Sequence, residues 1–508
     1  MFSQHFHSAR SNPQPFIIGF FIALFCIGAL AFPAYGVSWD EPNQFRVSEK
    51  AYQYVFHGEP WPTIVGERFY GTVFELPAAV VGHLLELNDG RSILLLRHFL
   101  TFVYFFIGTI FFYLLCKRLF SSTWMGLLGA VVLVLSPRIF ADAFYNSKDL
   151  PNLSVFIIAM YTLVRFSDEE NSKWMAIHAF ASALAIGIRL TSFLVPAFTG
   201  FFLLLHVLHG MKSGRSEFGK RAGLLVCYLV LTILFTIGVW PFLWEQPVAH
   251  LQEAFTFMST LGISTYYMGE TIHKLPWHYL FVWVGVTTPL LYIGLFFCGL
   301  AAILTAAVKR PVDWFLTRID HLLPLMWLLL PIISVHLTGA GIFDGWRHLY
   351  FVYPAVVIIA LLGLQWLHHF IKKEMVLTSI LAVHSLWIAG WMVANHPIQN
   401  AYFSIPAPWV QHNFELDYWG LSFRPAFEYV LAHDTSPVLK IWASSSPAYS
   451  TVAIMPADQQ ARIQFVDEKD ATYLLNNYRL FGYKQDYPHP EIHSIMVGGV
   501  KVLGIYTQ

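Results

Sequence analysis

Residues 36–56, GVSWDEPNQFRVSEKAYQYVF, follow directly on the first long apolar stretch of the chain. Two adjacent carboxylates, Asp40 and Glu41, therefore lie at the edge of the first predicted membrane span. Charged groups at this depth are costly unless they are paired or functional. Pro42 suits the first turn of a helix, and the apolar side chains after it share approximately one helical face: Phe45, Tyr52, Val55 and Phe56. The stretch predicts an interfacial helix with a functional carboxylate at its start.

The composition indicates a membrane protein. Of the 508 residues, 56% are hydrophobic and 12% are charged, and the mean hydropathy is +0.54, unlike the composition of a typical soluble domain. The formal net charge is zero, so nothing indicates a nucleic-acid partner. The four cysteines lie in apolar stretches without CxxC spacing, which favours small buried side chains over disulfides or a metal site: Cys26, Cys116, Cys227 and Cys298.

About eleven apolar stretches are long enough, or nearly so, to cross a ~30 Å hydrocarbon core at ~1.5 Å per residue. They predict an α-helical polytopic membrane protein with spans at 16–35, 93–115, 122–137, 151–166, 174–189, 191–209, 222–243, 278–307, 321–338, 348–369 and 375–394. The first stretch also has features of a signal peptide. Its length and the weak basic region before it favour an uncleaved anchor.

Basic residues occur in every second loop between these spans. They are Lys117, Arg118, Arg165, Lys173, Lys212, Arg215, Lys220, Arg221, Lys309, Arg310, Arg318, Lys372 and Lys373. The positive-inside rule assigns these loops to the cytoplasm. The N-terminus is then predicted to be cytoplasmic and the C-terminus external, with external segments at 36–92, 138–150, 189–191, 244–277, 339–347 and 395–508.

The chain divides into a transmembrane module, residues 1–394, and a C-terminal segment, residues 395–508, in which apolar stretches shorten and charges return. Short strands are predicted there at Leu439–Ile441, Ile463–Val466, Tyr473–Leu475 and Val500–Tyr506, with a helix at Phe427–Ala432. We expect a small external α/β domain. A second interfacial helix is predicted in the first external loop, at Tyr70–Leu87.

Ionisable residues gather at the predicted external ends of the spans, whereas the span centres are almost free of charge. The carboxylates are Asp40, Glu41, Asp142 and Asp149, and the cations are Arg138, Lys148, Arg189 and Arg347. A transport pathway would place charges within the spans. Charge at one face instead suits a substrate with a lipid tail in the bilayer and a charged head group at its surface.

Four sequence blocks resemble membrane glycosyltransferases that use polyprenyl-phosphate sugars, the GT-C class. These are SWDE (38–41), SPRIFADAFYNSKDLP (136–151), RHLYFVYP (347–354) and FELDYWGLSF (414–423). The class includes the protein O-mannosyltransferases of family 39 and the lipid A aminoarabinose transferases. The latter carry a Lys-Pro-Pro element in the first loop, which the corresponding stretch 67–75 lacks. This difference argues against aminoarabinose transfer to lipid A and leaves the acceptor open.

The resemblance implies an inverting hexosyl- or pentosyltransferase in the bacterial inner membrane, with a polyprenyl-phosphate-linked sugar as donor and its site on the periplasmic side. Asp40 is the expected base, with Glu41 beside it. Candidate phosphate ligands are Arg138, Lys148, Arg189, Arg347 and, more weakly, His348. Four residues are candidates to orient the acceptor or the sugar: Asp142, Asp149, Tyr70 and Tyr145. The sequence leaves a cofactor requirement undecided, and a divalent metal between Asp40 and a carboxylate of the second loop stays open.

Each of these residues also has a structural interpretation. Glu41 suits the start of a helix, where the dipole favours a carboxylate. Arg138 and Lys148 suit contact with lipid head groups, and Arg189 suits snorkelling from a span end. His348 suits a packed, structural position.

Two other functions stay open at the sequence level. One is a transporter or flippase of lipid-linked sugars, which predicts inverted repeats and charges near span centres, neither of which is evident. The other is a receptor whose external domain binds a ligand, which gives no reason for the charges around Asp40.

Overall fold

The computed structural model of the chain describes residues 12–61, 68–210, 215–259, 262, 264–339, 341–479 and 487–508. In these ranges, eight helices are long and apolar enough to cross a membrane, and a bent helix pair makes a ninth if it counts as one span. The fold is therefore a mainly helical membrane bundle, as predicted, followed by a small sheet domain.

The helices before residue 395 are, in chain order, α1 (Gln14–Ala31), α2 (Glu41–His57), α3 (Glu75–Leu84), α4 (Gly90–Leu119), α5 (Thr123–Val134), α6 (Pro137–Tyr145), α7 (Asp149–Glu169), α8 (Ser172–Ile186), α9 (Leu194–Gly210), α10 (Arg215–Val239), α11 (Pro247–Ser259), α12 (Tyr279–Thr287), α13 (Leu290–Lys309), α14 (Pro311–Thr317), α15 (Ile319–Thr338), α16 (Tyr353–Ile371) and α17 (Glu374–Ala394). A short hairpin, β1 (Thr265–Tyr267) and β2 (Glu270–Ile272), lies between α11 and α12.

Short 3₁₀ segments lie at Phe32–Ala34, Leu190–Phe193, Pro241–Leu243, Arg347–Val352, Gln399–Ala401, Val452–Ile454 and Glu468–Asp470. Helices α18 (Ala407–Asn413), α19 (Phe423–His433), α20 (Pro447–Thr451) and α21 (Ala457–Gln460) follow the bundle. They accompany strands β3 (Leu439–Ala443), β4 (Ile463–Phe465), β5 (Tyr473–Asn476), β6 (Glu491–Val497) and β7 (Val500–Thr507).

The predicted spans correspond to helices, with interruptions that have local causes. The stretches 174–189 and 191–209 become α8 and α9, of 15 and 17 residues, which are too short to count as spans. The described residues therefore contain eight or nine spans rather than the eleven predicted. The stretch 278–307 is divided into α12 and α13 because Pro289 cannot continue the preceding helix. The third span bends by 70° between α5 and α6, where Pro137 follows Ser136. These breaks place polar side chains at helix starts.

Both helices predicted in the first loop are present, as α2 and α3. They are joined by the Ser48 hydroxyl, which donates to the Glu75 carbonyl at 2.6 Å. Arg97 of α4 donates to the Glu75 carboxylate, also at 2.6 Å, and both side chains are buried. This ion pair fixes α3 against the bundle.

Two glycines allow a close contact between helices α13 and α16. A Cβ on Gly299 would lie 1.9 Å from the Ile359 carbonyl oxygen, and one on Gly363 would lie 1.9 Å from that of Leu295. Small residues at a membrane helix interface let the backbones approach each other, so larger residues at either position would separate the helices.

The C-terminal sheet has the strand order β4-β3-β5-β7-β6, in which β3 runs parallel to β4 and β5, and β7 runs antiparallel to β5 and β6. The four predicted strands and the helix are confirmed. Strand β6 was not predicted. Helix α19 covers one face through Phe423, Phe427 and Val430, which pack on Ile441, Leu475 and Ile505.

The C-terminal segment packs directly on the chain between α1 and α2. The Trp39 amide donates to the Trp419 carbonyl at 3.2 Å, and the Val37 amide donates to the Thr451 hydroxyl, also at 3.2 Å. Arg424 donates to the Tyr35 carbonyl at 2.8 Å. The segment that carries Asp40 is thus held by the bundle on one side and by the C-terminal domain on the other.

Breaking the buried Arg97–Glu75 pair is expected to destabilise the protein strongly. Glu75→Ala leaves the Arg97 guanidinium charged and buried without its carboxylate, which costs about 3–5 kcal/mol. Asp168→Ala is the matched control, because its ion pair with Arg118 is 39% exposed on both sides and is worth less than about 1 kcal/mol. Thermal unfolding in detergent should show a large fall in Tm for Glu75→Ala alone. Equal falls would contradict the assignment.

Candidate active site

The Arg347 guanidinium is the centre of a charged cluster at one end of the bundle. Its Nη1 atom lies 2.9 Å from Asp40 Oδ2 and 3.4 Å from Asp149 Oδ2, and its Nη2 atom lies 3.4 Å from Asp344 Oδ2. The side chain is only 3% exposed. A buried guanidinium needs such partners, because an unpaired charge in a medium of low dielectric constant costs on the order of several kcal/mol.

Asp40 is paired with two cations and remains accessible. Besides Arg347, the Lys148 ammonium lies 3.3 Å from the same Oδ2 atom, and the Asp40 side chain is 21% exposed. Burial opposes ionisation of this carboxyl, but the charges of Lys148 and Arg347 outweigh it and hold the pKa of Asp40 well below its usual range. Asp40 is therefore a carboxylate at every physiological pH.

Asp149 joins a third cation to the cluster. Its Oδ1 atom forms an ion pair with Arg189, while its other oxygen accepts from Asn146 Nδ2 at 3.0 Å. The Asn146 side chain also accepts from the Asp149 amide at 2.9 Å, as an N-cap residue does. The start of α7 is thereby fixed, and with it the neighbouring Lys148.

Each charged side chain stands at the start of a helix or at a break. Asp40 precedes α2 as its N-cap residue, and Lys148 and Asp149 open α7. Arg189 lies in extended backbone between α8 and a 3₁₀ segment. Arg347 follows a turn in which Asp344 and Gly345 have φ of 56° and 76°, a conformation that favours glycine.

Aromatic rings line the cations. Lys148 Nζ lies 4.3 Å from the centre of the Tyr70 ring, and the Arg347 guanidinium lies 4.7 Å from that of Trp419. Such contacts stabilise a cation by about 0.5–2 kcal/mol. Tyr70, which was predicted to orient the sugar, therefore lies beside the cluster and contacts its lysine.

A second layer of charge comes from the C-terminal segment. Arg479 Nη2 lies 3.2 Å from Asp344 Oδ1, and its Nε atom lies 3.7 Å from Glu415 Oε1. Burial raises the pKa of Glu415 to about 7, although the charge of Arg479 acts in the opposite direction. Neither Arg479 nor its contact with Asp344 was predicted, because a single arginine in a segment of short strands gives no pattern.

Several predicted site residues point away from this cluster. Glu41 accepts from the Ser38 amide at 2.5 Å and contacts His98 Nε2 at 2.8 Å. Arg138 donates to the Tyr402 carbonyl at 2.9 Å and stacks 4.5 Å from the Phe403 ring centre. These contacts give both residues a part in packing, and we do not place them among the groups that touch the substrate.

Asp142 and Tyr145 form a separate buried pair, with the tyrosine hydroxyl donating to Asp142 Oδ1 at 2.5 Å. The Trp419 indole donates to Asp142 Oδ2 at 3.3 Å, which ties the FELDYWGLSF block to α6. His348 packs edge-on against Phe343, with ring centres 4.8 Å apart, and is half-buried next to Arg347. These three residues surround the cluster rather than belong to it.

The metal bridge that the sequence left open does not fit the arrangement. Arg347 Nη1 occupies the position between Asp40 and Asp149, within 3.4 Å of both carboxylates. Among the described residues, no group of three or more His, Cys, Asp and Glu side chains is arranged to hold a metal ion. We therefore derive no chemical step through a metal.

The raised pKa of Glu415 predicts a dependence of stability on pH. The folded-state pKa of Glu415, about 7, exceeds the usual glutamate pKa of 4.5. Its contribution to stability is therefore complete below pH 4.5 and is lost as the pH rises through 7, by up to about 3 kcal/mol. Glu415→Gln mimics the protonated form. Its Tm should therefore exceed that of the wild type by more at pH 8 than at pH 5.

Glu428→Gln in the same domain is the control, because the Glu428 side chain is 52% exposed. The difference in Tm between this variant and the wild type should be the same at pH 5 and at pH 8. A gap between Glu415→Gln and the wild type that does not widen with pH would refute the buried, protonated state of Glu415.

Comparison with known proteins adds a partial family match and a shared fold. A family model described as dolichyl-phosphate-mannose-protein mannosyltransferase matches residues 88–240, less than half of the chain. Apo ArnT from Cupriavidus metallidurans superposes with a TM-score of 0.52 at 12% identity, covering 97% of this chain and 98% of ArnT. The comparison with curated protein sequences finds no match.

Two further structures are similar at lower scores. ArnT bound to undecaprenyl phosphate gives a TM-score of 0.48 at 12% identity, over 96% of this chain and 98% of that one. The Archaeoglobus fulgidus oligosaccharyltransferase tethered to an acceptor peptide gives 0.46 at 12% identity, over 89% and 64%. The resemblance to the GT-C class is confirmed by the family match and by the fold, which this chain shares with ArnT over nearly its whole length.

Proposed function

We propose that the protein is an inverting glycosyltransferase that moves a hexose or pentose from a polyprenyl phosphate to an acceptor. The observation that supports this most is the pairing of one accessible carboxylate, Asp40, with two cations, Lys148 and Arg347. A third cation, Arg189, is paired with Asp149, which also contacts Arg347. A base and a set of phosphate ligands thus meet at the end of a membrane bundle.

The donor phosphate replaces Asp40 as the partner of the cations. Arginine and lysine bind phosphate oxygens through charge-assisted hydrogen bonds, and the guanidinium matches two oxygens at once. Lys148 and Arg347 hold Asp40 through only one of its oxygens. When these cations turn to the phosphate, Asp40 loses the charges that depress its pKa and becomes a stronger base next to the bound donor.

The transfer is a single displacement. An acceptor hydroxyl or amine attacks the anomeric carbon from the face opposite the phosphate, and its proton passes to the Asp40 carboxylate. The bond between the anomeric carbon and the phosphate oxygen breaks, and its electron pair stays on the phosphate. Lys148 and Arg347 stabilise this growing charge, so that no second carboxylate has to protonate the leaving group. The anomeric configuration is inverted.

The place of the site follows from the same proposal. The positive-inside pattern assigns the end of the bundle that carries Asp40 to the external face, which for a bacterial protein is the periplasmic side of the inner membrane. The lipid tail then lies along the bundle and the sugar lies outside the hydrocarbon layer. The acceptor is a protein, lipid or glycan that reaches this face.

Replacing Asp40 should separate donor binding from turnover. Asp40→Asn keeps the shape of the side chain but removes the base, so turnover is expected to fall by about 10²–10⁴-fold. Binding of undecaprenyl phosphate should be retained or tightened, because the variant no longer competes for Lys148 and Arg347. The measurements are release of polyprenyl phosphate from labelled donors in membranes of the native host, and thermal stabilisation by undecaprenyl phosphate in detergent.

Full turnover by the Asp40→Asn variant would show that Asp40 is not the base. Transfer of the intact lipid-linked sugar across the membrane by the wild type, without cleavage of the sugar–phosphate bond, would instead establish the flippase alternative.

A further inference from the structure

The C-terminal segment contacts the charged cluster through the Trp419 ring over Arg347 and through the guanidinium of Arg479, which follows strand β5 by three residues. We infer that Arg479 is a positioning residue for the transfer reaction and that the C-terminal domain is therefore part of the active site. This inference rests on the proposed function. Nothing in the catalytic step assigned to Asp40, Lys148 and Arg347 requires Arg479 to touch the substrate.

A chain of ion pairs leads from Arg479 to the base. Arg479 Nη2 lies 3.2 Å from Asp344 Oδ1, and the other oxygen of Asp344 lies 3.4 Å from Arg347 Nη2. Arg347 Nη1 in turn lies 2.9 Å from Asp40. Asp344 is thus shared between two arginines, and its side chain is only 7% exposed. Its negative charge is divided between the C-terminal domain and the catalytic cluster.

Arg479 also contacts the backbone and ring on either side of the site. Its guanidinium lies 4.2 Å from the centre of the Trp39 ring, directly before Asp40 in the chain, and Nη1 donates to the Tyr418 carbonyl. The neighbouring Trp419 carbonyl accepts from the Trp39 amide at 3.2 Å. The arginine is therefore fixed to the same short segment that presents the base.

The shared carboxylate gives Arg479 a specific effect on Arg347. While Arg479 holds one oxygen of Asp344, the attraction of Asp344 for Arg347 is weakened. Without Arg479, the buried Asp344 has Arg347 as its remaining cation among the described ion pairs and draws it away from Asp40 and from the donor phosphate. At close range in a medium of low dielectric constant, this redistribution of charge is strong.

The competition predicts an unusual pattern of mutant effects. Arg479→Gln should impair the enzyme because Asp344 then captures Arg347. Removing the charge of Asp344 as well, in Asp344→Asn/Arg479→Gln, should restore much of the activity, because nothing then competes for Arg347. Arg479→Lys keeps the positive charge and should be affected less than Arg479→Gln. An arginine that only fastens the C-terminal domain would give no such restoration.

The test is donor kinetics in membranes of the native host for the wild type, Arg479→Gln, Arg479→Lys and the double variant. We expect Arg479→Gln to lower kcat/KM for the donor roughly 10–100-fold, the range in which misplaced catalytic groups fall, with a raised donor KM. The double variant should recover at least half of this loss on a logarithmic scale.

Arg462→Gln is the matched control. Arg462 lies in the same domain and donates to the carbonyls of Ser436, Leu431 and Asp434. Because these bonds do not lead to Asp40, the variant shows the effect of damage to the domain alone. It should leave the donor KM unchanged.

The outcomes separate the two proposals. A wild type that releases no polyprenyl phosphate from any donor overturns the proposed function. An active wild type with unchanged Arg479→Gln, or with a double variant no better than Arg479→Gln, overturns the positioning role alone. An impaired Arg479→Gln that Asp344→Asn restores supports it.

Discussion

The arrangement of this protein depends on keeping one buried cation, Arg347, in contact with three carboxylates. Each partner comes from a different part of the chain: Asp40 from the start of α2, Asp149 from the start of α7 and Asp344 from the turn before Arg347 itself. Because a guanidinium stays charged at all relevant pH values, it cannot escape the cost of burial by losing a proton. The fold has to bring the carboxylates to it.

This constraint explains the breaks in the bundle. Regular spans would carry their polar residues into the hydrocarbon layer, where they are costly. The breaks before α7 and after α8 instead place Asp149 and Arg189 at helix ends, where they pair with each other. The C-terminal domain supplies the outer part of the same network through Arg479 and Asp344.

The same network defines a resting state for the proposed reaction. The cations proposed to bind the donor phosphate are paired with the carboxylate proposed as the base, and part of that carboxylate stays exposed. Asp40 keeps 21% of its side chain exposed, whereas Arg347 keeps 3%. In the proposed reaction, the donor phosphate takes the place of the Asp40 carboxylate beside these two cations.

Much of the fold and part of the site were predictable from the sequence. Hydropathy gave the spans because a membrane helix has to be long and apolar, and loop alternation brought Asp40, Lys148, Arg189 and Arg347 to one end. The sequence did not reveal that Arg138 points into packed aromatic rings. That orientation follows from the 70° bend before α6, for which Pro137 is the only sequence signal.

Two features of the C-terminal domain differ in how far the sequence reveals them. Strand β6 was missed, although Gly498–Gly499, with φ of 56° and 84°, forms the two-residue turn that joins it to β7. Such a pair is a hairpin signal. Arg479 had no comparable signal, since its contact with Asp344 joins residues 135 positions apart.

The most direct test of the account is a structure of the protein with undecaprenyl phosphate bound. The account predicts phosphate oxygens within hydrogen-bond distance, about 3.2 Å, of Lys148 and Arg347, with the Asp40 carboxylate released from Lys148 and open to an acceptor. A phosphate bound elsewhere on the protein, with Asp40 still paired to both cations, would contradict it.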